Sequence, residues 1–365
     1  MDDLEALWKK DVMGNSDILD VSGLEILLSR NRFLSGRIGA REYRKWLLDI
    51  YDRAEERGYD FYNVLANVLV PLEYLMSFEL NKDEPDGDEY NELHVMYERL
   101  LSYALHATGV DNYSLMLEYF AEILYHFREI EGVMTFEEMG LRSLAALHPP
   151  TYVHSRMVAD ISRLICEAMI DMSPSAFDGC LYSGKGKDIS KNRESALDYI
   201  YHAAVCHDFG KLPMIDTISV YGRKLFDSEF ALLKHHPQVG ADMLLSHEST
   251  KRYADAALSH HLWYDGSRGY PDVPENSNKN VKVFIDIISI ADSIDAATDT
   301  IGRSYATGKS IDTILEEIIA GSGSRYSDVV GNVITLPEVK DQLSELLKSG
   351  RRANYKNAYT LLKEW

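Results

Sequence analysis

Apolar residues at steps of three and four run through most of this chain of 365 residues, and the period-two alternation of half-buried strands is scarce. That pattern restricts the chain to packed helices, and the expected fold is all-α. In "NELHVMYERLLSYALHATG", residues 91–109, Leu93, Met96, Tyr97, Leu100 and Ala104 share a face and Gly109 follows as a stop. "DNYSLMLEYFAEILYHFREIEG", 111–132, repeats the pattern from candidate caps at Asp111 and Asn112. "REYRKWLLDIYDRAEERG" predicts a further helix, Pro71 is placed to kink or divide another, and Thr135 with Glu138 forms a candidate capping box. Helices are also expected near 153–172, 195–206, 228–235, 238–247, 251–263 and 281–298, and one begins near Pro337.

The length favours about two domains. Pro149 and Pro150 mark the sharpest break, so residues 1–148 are expected to form a helical module that regulates or dimerises, and 149–365 the part that carries chemistry. A net charge of −20 argues against binding a DNA or RNA duplex, which needs many cationic contacts to phosphate. Three cysteines without a CxxC pair exclude a disulfide framework and fit a reducing compartment. The acidic start "MDDLEALWKK" lacks the pattern of a signal peptide, and no run of some 18 apolar residues occurs. The expected location is cytoplasmic, with no membrane partner.

Of the 12 histidines, 8 lie between His154 and His261. His154, His207, Asp208, His236, His260, His261 and Asp292 make a set of imidazoles and carboxylates suited to a borderline metal ion, outside any structural zinc pattern. Any one of these histidines alone is better read as a core or surface residue. Together they fall on or beside helices that are otherwise apolar on one face, as in "YIYHAAVCHDFGK" and "VFIDIISIADSIDAA", where unpartnered charge would be costly. Vicinal residues on a helix project about 100° apart, so the pairs His207–Asp208 and His260–His261 favour two neighbouring ions over chelation of one. Water held between two such ions ionises near neutral pH and attacks a phosphate ester. The loop "SGKGKDISKNR", with Lys185, Lys187, Lys191 and Arg193, lacks a P-loop pattern and reads as a solvated surface.

From His154 to about Tyr305 the chain resembles the HD-GYP branch of the HD phosphohydrolase superfamily, enzymes that linearise or hydrolyse cyclic dinucleotides, chiefly cyclic di-GMP. The pieces stand in the family's order: "HSRMV" at His154, "HDFGK" at His207, "HHPQVG" around His236, "HH" at His260, "DGSRGYP" from Asp265 and "ADSIDA" around Asp292. The resemblance implies that the seven residues named above are metal ligands, with Asp208 bridging two divalent ions, iron or manganese first and other transition metals open. It implies that Lys211 stabilises charge on the reacting phosphate, and that Arg303 and Tyr305 form a segment that grips phosphate. Tyr270 is placed to stack on or hydrogen-bond to a guanine, and Gly269 and Pro271 to fix a turn that brings backbone close. Asp265 is expected to orient a ligand histidine. His236 precedes Pro237 and so opens a helix, which leaves His235 as a neighbour. His202, His247 and the four histidines before His154 have no role in this reading.

Several positions depart from the family pattern. Arg268 is a surplus residue in the loop, Leu262 stands where Glu often follows the His pair, and Ala306 and Tyr221 stand where basic residues are common. Pro150 occupies the position of a glutamate that serves a third metal in some members, which favours two ions. The implied function is a metal-dependent phosphodiesterase acting on a cyclic dinucleotide, cyclic di-GMP first. The alternatives are a catalytically weak cyclic-dinucleotide sensor or adaptor, and an HD-type phosphohydrolase of another nucleotide.

Overall fold

A computed structural model describes residues 21–57, 135–184, 188–219, 223–271, 279–301 and 308–364, with 68, 71, 127 and 129. The helices expected over 91–109 and 111–132 lie outside the described residues, as do Lys185, Lys187, Tyr221, Arg303, Tyr305 and Ala306. The chain divides into two compact units, Met1–Val133 and Met134–Trp365. Among the described residues the secondary structure is helical, with one isolated bridge between Ser322 and Tyr326 and no strand, so the fold is all-α there. No described helix is long and apolar enough to cross a membrane. Cys166, Cys180 and Cys206 are free thiols.

In the first unit, α1 (Val21–Leu34) and α2 (Ala40–Arg57) pack together across a turn that uses the positive φ of Gly36. Leu28, Leu47 and Ile50 are buried, and Phe33 stacks on Tyr43 at 4.8 Å.

The second unit begins ahead of the expected boundary at Pro149. The reason is α3 (Phe136–Leu147), whose apolar face is buried with the later helices: Phe136 stacks on His247 at 3.9 Å and meets Phe209 edge-on at 6.1 Å. Thr135 caps α3 through the Glu138 amide, while the Glu138 carboxylate turns to Arg142 and leaves the box half made. Pro149 and Pro150 open α4 (Pro149–Met172), where missing amides cost nothing. His148 caps that helix by accepting from the Thr151 amide.

α4 is the central rod, packed against α5 (Arg193–Cys206), α10 (Lys282–Thr298) and α13 (Pro337–Glu364). Between α5 and α10 run α6 (Ile215–Ile218), α7 (Asp227–Leu233), α8 (His236–Leu245) and α9 (Ala254–Ser259); α11 (Ile311–Ala320) and α12 (Asp328–Ile334) precede α13. Met157, Val158, Ile161 and Ile165 of α4, Ile200 and Ala203 of α5, and Phe284, Ile287 and Ile288 of α10 form the core. The single helix expected over 251–263 is instead a 3-10 turn, Lys251–Tyr253, followed by α9, which ends at Ser259. Gly210, in the 3-10 helix Phe209–Met214, lies against α8 so closely that a Cβ there would stand 1.9 Å from the His236 carbonyl oxygen. A facing Gly240 completes this contact, which sets the Asp208 segment against the start of α8.

Candidate metal centre

A helix ends with carbonyls that no helical amide can reach. Three of the predicted ligands stand just past such ends and use them. His207 donates from Nδ1 to the carbonyl of Ala204 in the last turn of α5 at 2.6 Å, His236 to Leu233 at the end of α7 at 2.7 Å, and His260 to Ala257 in α9 at 2.7 Å. Each bond fixes the ring and its tautomer, and leaves the Nε2 lone pair bare. Both vicinal pairs thus sit just past helix ends; His260 and His261, expected within a helix over 251–263, lie beyond Ser259, and the ring of His260 is aimed by a carbonyl and not by helical pitch.

Those lone pairs converge on one buried carboxylate. Asp208 Oδ2 lies 3.4 Å from Nε2 of His154 and 3.4 Å from Nε2 of His207, while Oδ1 lies 3.2 Å from Nε2 of His236 and 4.0 Å from that of His260. Two sets of three donors result, His154–His207–Asp208 and His236–His260–His261, each close enough to hold a metal ion. Asp292 on α10 reaches the first set through His154, at 3.1 Å, and the second through His261, at 3.8 Å. The structure therefore brings together all seven predicted ligand positions.

The donor chemistry fits a cation. Nε2 of His154, Nε2 of His207 and Oδ1 of Asp208 are buried without a hydrogen bond of acceptable geometry, and Nε2 of His236 and His260 face each other at 3.3 Å. With both Nδ1 atoms donating elsewhere, those two lone pairs repel unless a proton or cation lies between them. Burial alone would raise the pKa of Asp208 and of Asp292, but Lys211 and the imidazoles around the first, and His154 and His261 beside the second, hold both carboxyls well below the usual range. Burial depresses His261 to about 3 against the pull of Asp292, lowers His207, and with the neighbouring histidines holds His260 well below the imidazole range. For His154 burial acts the same way, yet the carboxylates of Asp292 and Asp295 outweigh it and raise the pKa to about 9. His207, His260 and His261 are thus held neutral beside ionised carboxylates, as metal ligation requires, and His154 would give up its proton to a bound cation.

Asp295 is a functional residue that the sequence reading missed. Its Oδ2 accepts from His154 Nδ1 at 2.6 Å, and its Oδ1 is held by Arg351 of α13 at 2.7 Å, both in the buried interior. A carboxylate behind a ligand histidine orients the ring and raises its basicity. The signal was in the sequence, since Asp295 stands three residues after Asp292 and so on the same helical face. Nothing marked Arg351, 56 residues further along the chain.

The donors open onto a cavity of about 1000 Å³, the upper end of the range for small-molecule sites. Lys211 lines it and donates from Nζ to Asp208 Oδ2 at 2.5 Å, so it is no solvated side chain. Tyr270 stands over the second donor set, its ring 4.6 Å from that of His261. Gly269 has φ +113° and lies where a Cβ would be 2.4 Å from the His261 carbonyl oxygen, and Pro271 follows on a cis peptide. The close approach shown here is to the backbone of His261 and Leu262. Asp265 orients no histidine: it is exposed and accepts from the Ser267 amide at 2.8 Å, capping its own turn. Arg193 pairs with Asp171 and Glu167 on the surface. His235 is exposed where His236 is buried, His202 pairs with Glu137 at 2.7 Å, and His247 packs on Phe136.

Residues 151–297 match the HD domain family. A cyclic di-GMP phosphodiesterase of Vibrio cholerae is 29% identical over 151 residues, 40% of this chain and 30% of that protein. A cyclic di-GMP phosphodiesterase of Thermotoga maritima is 33% identical over 133 residues, 36% of this chain and 35% of that protein. The 3'3'-cGAMP-specific phosphodiesterase 2 of Vibrio cholerae is 31% identical over 137 residues, 36% of this chain and 25% of that protein. The matches thus span about a third of the length of these relatives or less. Residues 151–297 thus carry a match to the HD domain, and the histidine and aspartate motifs from His154 to Asp292, with Gly269-Tyr270-Pro271 between them, lie within it.

Proposed function

We propose that this chain is a metal-dependent phosphodiesterase that hydrolyses a cyclic dinucleotide, cyclic di-GMP foremost, to the linear dinucleotide or GMP. One observation carries the reading: two sets of imidazole lone pairs face each other across the single ionised carboxylate of Asp208 at the wall of a large cavity. His154, His207, His236, His260, His261, Asp208 and Asp292 would hold two divalent ions, iron or manganese first, with Asp208 shared. Such ions supply Lewis-acid polarisation of the scissile phosphate and a water acidic enough to act near neutral pH.

The chain's own groups do the rest. Carbonyls at three helix ends and the Asp295 carboxylate keep the imidazoles aimed, so binding a phosphate requires little reorganisation. Lys211, anchored on Asp208, presents a point charge to the developing oxyanion. Tyr270 offers a ring to a base, Gly269 and Pro271 shape the loop beside it, and Arg303 and Tyr305 act on substrate phosphate. The surplus Arg268 and the Leu262 substitution favour a second reading, in which the substrate is another cyclic dinucleotide such as 3'3'-cGAMP. The N-terminal unit regulates or dimerises, and the protein works in the cytoplasm.

Anaerobic incubation of the full chain, loaded with Fe(II) or Mn(II), with cyclic di-GMP and separately with 3'3'-cGAMP tests the reading, with Asp208→Ala as control. Linear dinucleotide or mononucleotide from the unsubstituted chain alone is expected. Binding without product in either metal would instead make the protein a sensor.

A further inference from the structure

Arg268 and Arg325 occupy one corner of the cavity for a reason that backbone hydrogen bonds make plain. The Trp263 amide donates to the Arg268 carbonyl at 3.0 Å and the next amide, Tyr264, donates to the Arg325 carbonyl at 3.1 Å. Two residues distant in sequence are thereby tied to consecutive amides just after the His260–His261 pair. Both line the cavity. Arg325 is anchored a second time, because the hydroxyl of the adjacent Tyr326 donates to Ser293 Oγ at 3.1 Å, next to Asp292.

Each guanidinium rests on an aromatic face, Arg268 5.1 Å from the Trp263 ring centroid and Arg325 4.9 Å from that of Tyr326. Stacking holds the plane and leaves the N–H edge open. Among the described residues neither arginine has a carboxylate ion-pair partner; of the cavity's lysines, Lys211 and Lys309 pair with Asp208 and Glu317, and Lys224 and Lys234 join the arginines as cations without such a pair. Asp265, the acid nearest Arg268 in sequence, is exposed and accepts from the Ser267 amide, so Arg268 acts on it only through space and makes no ion pair with it. In a chain of net charge −20, two guanidiniums with no carboxylate ion pair among the described residues, at the wall of one cavity, are poised for an anion that comes from outside. Arg325 also lies near enough to Tyr270 to act electrostatically on its hydroxyl, which ties the pair to the base-binding side of the cavity.

We infer that Arg268 and Arg325 form a clamp for the second, non-scissile phosphodiester of a cyclic dinucleotide. The inference rests on the phosphodiesterase reading and names the part of the substrate that this corner of the site selects. A cyclic dinucleotide has two phosphates in one ring; with the first beside Asp208 and Lys211, the second needs cations further along the cavity wall. Arg325 lies C-terminal to the matched segment 151–297, and Arg268 is the surplus residue of the loop. The clamp supplies charge on the wall of a site whose chain carries Ala306 in place of a basic residue.

The test compares cyclic di-GMP with bis(p-nitrophenyl) phosphate, a diester with one phosphate, on the Mn(II)-loaded full chain and its Arg325→Ala, Arg325→Lys and Arg268→Ala variants. Direct binding of cyclic di-GMP is measured in parallel in chelator. Arg325→Ala is expected to raise KM for cyclic di-GMP relative to the one-phosphate diester by about tenfold, with kcat little changed, the loss of one charge-assisted contact. Arg325→Lys should recover part of it, since charge returns without the fork. An unchanged KM ratio, or equal losses on both diesters, overturns the clamp and leaves the phosphodiesterase standing. Should the unsubstituted chain bind cyclic di-GMP but yield no product, the phosphodiesterase reading fails, and the clamp is judged by binding: about tenfold weaker in Arg325→Ala upholds it, equal affinity overturns it. If the unsubstituted chain gives no product in Mn(II) and does not bind cyclic di-GMP, with Mn(II) or in chelator, both are overturned.

Discussion

His154 shows how much a single residue depends on what stands behind it. Its Nε2 faces Asp208 and Asp292, while its Nδ1 is fixed by Asp295, so one ring joins the donor set to the interior. Replacing Asp295 with Asn keeps the shape but removes one of the two carboxylates, with Asp292, that make His154 a strong base. Metal affinity is expected to fall about tenfold or more. Titration of the metal-free Asp295→Asn chain with Mn(II), read by bound metal per chain, checks this, and an affinity equal to that of the unsubstituted protein would refute the positioning role. The imidazoles of His207, His236 and His260 carry the contrasting lesson. Their Nδ1 partners are carbonyls three residues back, a local device any sequence can build wherever a histidine follows a helix end, and it fixes the tautomer without a second side chain.

At the level of elements, α3 is held to α5 in part by Glu137 and His202, whose ring Nδ1 lies 2.7 Å and 2.8 Å from the two carboxylate oxygens. The hydrogen bond to Glu137 raises the His202 pKa above its ordinary value, more than burial lowers it. A raised folded-state pKa stabilises the protein fully below the unfolded value, about 6.5, and the gain disappears as pH rises through the folded value. The melting temperature lost on Glu137→Gln should therefore be larger at pH 6 than at pH 9. Equal losses at the two pH values would mean that His202 is uncharged throughout. A second inter-element contact explains part of a motif already visible in sequence. In "HDFGK" the glycine is required because Gly210 meets the His236 carbonyl and Gly240, a fit with no room for a Cβ. The motif announced the residue, and only the crossing of the 3-10 helix with α8 gives the cause.

For the second unit taken whole, α13 closes the fold over the site by way of Arg351. Nη2 binds Asp295 Oδ1 at 2.7 Å and Nη1 binds Asp299 at 2.8 Å, with only 8% of the arginine exposed. Arg351→Ala strands buried carboxylates, and stability should drop by about 3 kcal/mol. Urea unfolding of the full chain measures this; a loss below about 1 kcal/mol would mean water reaches the carboxylates readily. The all-α class and the gathering of the chosen histidines and aspartates, His236 rather than His235 among them, could be read from the chain, because period, residue type and the proline after His236 are local properties. The boundary at Val133, the end of α9 at Ser259 and the idle role of Asp265 could not, since each depends on what another segment covers. By itself the sequence determined which groups are present and on which helices they fall. The tertiary structure alone decided that Asp295 stands behind His154 across 141 residues, that Arg351 holds Asp295 across another 56, and that Arg268 and Arg325 meet at two consecutive amides. Such pairings depend on distances between elements, which are set by core packing and close backbone contacts and are written at no single position of the chain.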